Sequence, residues 1–162
     1  MSWFRRSSDE DSTSGALPTP VTFPEIEPLT EDEVLWVRTT IAELVEQDVR
    51  FGDIEDLGRH YDEMLTGWLR LKEPDRPDPH EIINQIGLAF GQHIADHTGL
   101  VWGVATSERG PAIALHRPRT AGQVVLYPTD MVAQRWGAHE TGVLAPLARA
   151  TVDAVRDIPA SG

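Results

Sequence analysis

Two histidines four residues apart, His93 and His97, have the spacing with which one helix face presents a pair of imidazoles to a metal ion. A zinc hydrolase built on that spacing needs glutamate directly after the first histidine, and Ile94 stands there instead. No third ligand follows apart from the neighbouring Asp96. The pair therefore reads as structural, with His97 in the last turn of a helix, where a protonated imidazole is favoured by the helix dipole. No metal and no cofactor is implied.

A second set, His116, Arg117, Tyr127, Asp130 and Arg135, gathers around the ends of two apolar runs and the turn that follows, where polar side chains can converge at a pocket mouth. His116 and Asp130 have the types of a base and its orienter. No serine lies in a nucleophile context and the chain has no cysteine, so no catalytic residue is assigned. These five are the candidate ligand-binding residues. Simpler roles exist for two of them: Asp130 as a helix cap, and Arg135 as the partner of an acid from the helical region. The acidic groups Glu31/Asp32/Glu33, Glu55/Asp56 and Asp62/Glu63 read as solvated helix faces, not as the facing carboxylates of a glycosidase.

The elements that must position these residues follow from periodicity. Thr30 and Glu33 form a capping box, after which Val34, Val37, Ile41, Leu44 and Val45 make one apolar stripe. Trp36 points away from that stripe, and is the candidate partner-binding residue unless the segment around Phe23 and Ile26 covers it. A second helix carries Ile54, Leu57, Tyr61, Met64, Leu65, Trp68 and Leu69. Asp78 and Pro79 open a third, ended by Gly99, with Ile83, Ile86, Gly87, Phe90 and Ile94 on one face. Three strands follow at 100–106, 112–116 and 123–127, and their short connections predict an antiparallel meander. One set of alternating residues holds Trp102, Val104, Ile113, Leu115, Val124 and Leu126; the other is rich in Gly and Ala. Both sets are mainly apolar, so each face requires a cover, from helices or from a partner. The Gly/Ala face is the expected seat of helix three, because Gly87 and Gly91 would let it approach closely. Asp130 is expected to cap a short helix from Met131. In the last helix Val143, Leu147, Ala150 and Ala154 align, with Leu144, Thr151 and Val155 widening the stripe.

The fold class is thus α+β, with N-terminal helices packed on a three-stranded antiparallel meander, followed by C-terminal helices. A disordered tail is expected over 1–24, where Trp3 and Phe4 lie beside Arg5 and Arg6, a single domain over 25–158 and a flexible end over 159–162.

The run Gly87-Leu-Ala-Phe-Gly91, then Trp102, the turn at Gly110, Ala114-Leu115, and Tyr127-Pro128 through Met131 and Gln134-Arg135 resembles the bacterial domain of unknown function 3806 family, over about Ile82 to Leu147. Gln134 stands where that pattern has lysine, and Ser107 where an acid is common. The resemblance implies a bacterial α+β module and brings no reaction or cofactor. One lysine, Lys72, against thirteen arginines points the same way, to a high-GC coding source.

Composition narrows the partners. The 162 residues hold 26 acids against 14 bases, a formal charge of −12, which opposes binding to phosphate backbones and anionic lipid. Neither a nucleic acid nor a membrane is an expected partner, and no apolar window is long enough to span a bilayer. Absent cysteines and a start, MSWFRRSSDEDSTSG, without an apolar signal core lead to a cytoplasmic expectation. Local charge differs: residues 31–73 are strongly acidic, whereas 100–139 carry Arg109, Arg117, Arg119 and Arg135 against two acids.

The expected function is non-enzymatic binding of another protein or a peptide, and a homodimer is compatible with it. The alternative is a small-ligand-binding protein or small enzyme using the strand-end His/Tyr/Asp/Arg cluster. A toxin-immunity or secretion-accessory role is a further alternative.

Overall fold

The computed structural model describes residues 23–118 and 124–159. Most of the expected N-terminal tail with Trp3 and Phe4, Arg119, Gln123, and 160–162 of the expected C-terminal end lie outside the described residues. In chain order the elements are strand β1 (Glu25–Pro28), helix α1 (Glu31–Glu46), helix α2 (Ile54–Arg70), a 3-10 turn (Glu73–Asp75), helix α3 (His80–Thr98), strands β2 (Val101–Ser107), β3 (Gly110–His116) and β4 (Val125–Leu126), and helices α4 (Pro128–Gly137) and α5 (Leu144–Asp157). The class is α+β. The sheet has four antiparallel strands in the order β1-β2-β3-β4, one more than the expected meander.

The additional strand comes from Glu25-Ile26-Glu27-Pro28, which pairs Ile26 opposite Ala105. Four residues that follow one proline and end on another carry little strand signal of their own. Pairing to β2 supplies what local propensity lacks, and a proline is tolerated on an edge strand. The strand expected over 123–127 reduces to Val125–Leu126, because Pro128 already opens α4.

Helix starts follow the local chemistry. Thr30 accepts from the Glu33 amide at 3.2 Å, and the Glu33 carboxylate accepts from the Thr30 amide at 2.8 Å. Asp53 caps α2, and the Asp78 carboxylate accepts from the His80 amide at 3.0 Å. Gly99 ends α3 in the left-handed conformation, φ 80°. Asp130 does not cap α4. With Pro128 at the first helical position, Asp130 falls in the first turn, where its charge still complements the helix dipole.

Helix α3 is the centre of the molecule. Ile86 through Gly91 are buried consecutively, so it is covered all round and not along one stripe. The helices α1, α2, α4 and α5 all pack on it. Helix α5 faces inward through Leu144, Ala145, Ala148, Val152 and Val155, leaving Ala150 and Ala154 exposed, a rotation from the expected stripe. Leu144, Val152 and Val155 outweigh the alanines when a face is chosen for burial.

The sheet meets α3 through the face opposite to the expected one. Trp102 donates from Nε1 to Gln92 Oε1 at 3.0 Å, and Leu115 enters the main core. A Cβ at Gly91 would collide with the Trp102 ring and sit 2.7 Å from Pro128 Cγ, while one at Gly87 would sit 2.7 Å from Thr129 Cα. The two glycines therefore admit an indole and the start of α4, not a Gly/Ala strand surface. On the other sheet face Gly103, Ala105 and Ala114 are buried apart from the main core, beside exposed Val101 and Ala112.

Candidate functional site

The strand-end residues occupy separate roles. His116 ends β3 with its ring over Gly103, where a Cβ would meet Nε2 at 3.1 Å; its Nδ1 is buried without a hydrogen-bond partner among the described residues. Arg117 donates to Pro159 O and Val155 O, each at 3.1 Å, closing the C-terminal end of α5. Tyr127 flanks the start of α4 half-buried, and Asp130 is exposed on its first turn. Arg135 Nε lies 3.8 Å from Glu140 Oε1, an ion pair to the loop after α4. Among the described residues no hydrogen bond or ion pair joins any two of these five.

His93 and His97 stack with ring centroids 4.2 Å apart, and His97 Nδ1 lies 2.9 Å from His93 O. Burial, and next the neighbouring His97, hold the His93 imidazole below its ordinary pKa. Among the described residues no group of three or more histidine, cysteine or acidic side chains could hold a metal ion.

Exposed apolar surface concentrates instead on α1. Its inner stripe buries Val37, Thr40, Ile41 and Leu44, whereas Leu35, Trp36 and Val45 are 63%, 44% and 55% exposed. Val45 thus leaves the expected stripe, because it lies about 100° round the helix from the fully buried Leu44, on the flank away from Thr40. Leu35, Arg38, Ala42 and Val45 recur at i, i+3, i+7 and i+10, which lines them along one outer edge of the helix.

Three adjoining hollows run along this edge. One of about 300 Å³ lies between Leu29, Val34, Gln92 and Trp102. The next, about 350 Å³, is bounded by Leu29, Glu31 and Leu35. The last, about 410 Å³, is walled by Ile41, Ala42, Val45 and Phe51. Arg38 borders all three and makes no ion pair among the described residues. The result is an apolar groove with one available guanidinium at its middle. Its floor is built by α3 and β2: Gln92, held by the Trp102 indole, fixes the wall that faces α1.

Sequence reasoning singled out Trp36 on this helix but not Leu35, Arg38 or Val45. The signal was present in the i, i+3, i+7, i+10 recurrence. It was hidden because α1 carries apolar residues on two edges, and a single stripe drawn through them takes Val45 into the core.

No helix among the described residues is long and apolar enough to cross a membrane. No curated protein and no solved structure matches the chain. A family model described as Domain of unknown function (DUF3806) matches residues 66–146, from the last turns of α2 through the glycine-bearing α3, the strands β2 to β4 and α4 to the start of α5. The matched half carries Gly87 and Gly91, the Trp102 indole packed on Gly91 and the Tyr127-Pro128 turn that opens α4, and the chain belongs to this family.

Proposed function

We propose that the chain is a non-enzymatic, cytoplasmic bacterial module that binds a protein or peptide along α1. The observation carrying this reading is the continuous apolar groove bordered by Leu35, Val45, Phe51 and Trp102, with Arg38 at its centre in no ion pair among the described residues. Contiguous exposed apolar surface rimmed by polar groups is characteristic of interaction sites. A shallow groove beside a helix suits an amphipathic segment that lays its apolar face into it. Arg38 then selects a ligand with a carboxylate near the middle of its apolar face.

A small-ligand or enzymatic reading through His116, Arg117, Tyr127, Asp130 and Arg135 has less support, since Arg117 and Arg135 are already engaged within the chain. Panning a displayed peptide library against the intact chain tests the binding reading. It is expected to enrich apolar segments carrying one acidic residue. The double change Leu35→Asp and Val45→Asp is expected to abolish their binding while leaving the circular dichroism spectrum unchanged. Absence of enrichment, or enrichment indifferent to both changes, sinks the proposal.

A further inference from the structure

On the other shoulder of α1, Trp36 borders a separate hollow of about 230 Å³ between α1 and the first half of α3, lined by Thr40, Glu43, Glu81, Asn84 and Gln85. Here the surroundings are acidic and amidic instead of apolar. Glu43 Oε1 accepts from Gln85 Nε2 at 3.2 Å, and Gln85 Oε1 accepts from Gln47 Nε2 at 3.3 Å, so the carboxylate is steered by a relay from both helices. Glu81 stands in the first turn of α3. Thr40 is only 8% exposed and lines the hollow.

We infer that this hollow is a subsite for an arginine side chain of a basic peptide. An exposed indole attracts a cation over its face, and a guanidinium is planar enough to lie on it while donating to a carboxylate at its edge. Glu43 and Glu81 supply two such acceptors beside Trp36, with the Thr40 side chain on the same wall. The overall charge of −12 favours a basic ligand. The subsite rests on the binding reading only in taking its arginine from a peptide. The α1 groove takes a carboxylate at Arg38, so one peptide carrying both charges can occupy both shoulders.

The test titrates N-acetyl-arginine-N-methylamide, and its uncharged citrulline counterpart, into the intact chain while following backbone amides and indole N–H groups by NMR. Saturable shifts are expected at Trp36, Glu43, Glu81 and Gln85, with a dissociation constant on the order of mM for so small a probe. Trp36→Ala is expected to abolish them. Glu43→Gln and Glu81→Gln should each weaken binding about five- to tenfold, and all three positions lie on the surface, where substitution spares the fold. Equal response to citrulline, or shifts spread over the acidic surface that persist in Trp36→Ala, overturns the inference. Leu35→Asp with Val45→Asp leaves this titration unchanged, which separates failure of the subsite from failure of the groove.

Discussion

Gly87 and Gly91 are where one methyl group matters most. Alanine at Gly87 places Cβ 2.7 Å from the Thr129 backbone, and at Gly91 against the Trp102 ring and Pro128. Thr129 and Pro128 cannot retreat without moving α4, and the Trp102 ring is held by its bond to Gln92. Each change is expected to cost about 1–3 kcal/mol in chemical denaturation, the range for overpacking a filled core. Gly67, on the exposed side of α2, has nothing within 4 Å of the place a methyl group would take. Gly67→Ala should therefore stabilise by about 0.5–1 kcal/mol through helix propensity and lost unfolded-state freedom. His60 gives the residue scale a pH signature. It is 7% exposed, its Nε2 has no partner among the described residues, and burial lowers its pKa below the ordinary 6.5. The unfolded chain then binds a proton near pH 6.5 that the folded chain refuses, so the contribution of His60 is present above that pH and lost as pH falls toward the folded pKa. Denaturation midpoints of His60→Leu should decline less between about pH 7 and 5 than those of the natural chain.

Elements here are held at their ends. Arg117 binds two carbonyls at the close of α5, and Arg156 Nε donates to His97 O at 3.0 Å, tying α5 to the end of α3. Arg117→Lys retains charge but loses the planar fork. Faster hydrogen exchange is expected over Val152–Ile158 with little change in α2; unchanged exchange there would remove the capping role. The loop before α5 is fixed from α2: Asp62 accepts from the Gly142 amide at 2.9 Å, and the Tyr61 hydroxyl donates to Glu140 O at 3.0 Å. Burial, with Asp62 next, pushes the Tyr61 phenol up to about 12. Tyrosine ionises near pH 10 in the unfolded chain, so this contribution is present below pH 10 and lost between 10 and about 12. Tyr61→Phe should cost about 1 kcal/mol at neutral pH and flatten the alkaline decline of stability.

At the scale of the molecule, the family segment is not expected to fold by itself. Residues 66–146 keep α3, the strands β2 to β4 and α4 but lack α1, most of α2 and nearly all of α5, the helices that cover the buried run Ile86–Gly91. An isolated 66–146 fragment is expected to give a collapsed amide spectrum, whereas 23–159 gives a dispersed one. The two shoulders of α1 belong to the same part of the chain that the family segment omits. The proposed binding face thus joins α1, outside the matched residues, to Gln92 and Trp102 in the groove and Glu81 and Gln85 in the subsite, inside them.

Signals that act over a few residues were legible in the sequence: the Thr30/Glu33 capping box, Asp78 before α3, Gly99 at its end, and the apolar period of α2. Each depends on hydrogen bonds or side-chain directions between close neighbours, which local chemistry dictates. The strand-end site was not legible in the same way, because the distance between His116, Asp130 and Arg135 depends on how α4 lands on α3. Nor was β1, whose pairing partner lies far along the chain in Gly103–Thr106. Tertiary structure alone decided which sheet face meets the core, how α5 is rotated, and that α1 keeps Leu35 and Val45 outside. Those outcomes depend on which of several apolar surfaces bury one another most completely, a competition between distant segments that no local spacing expresses.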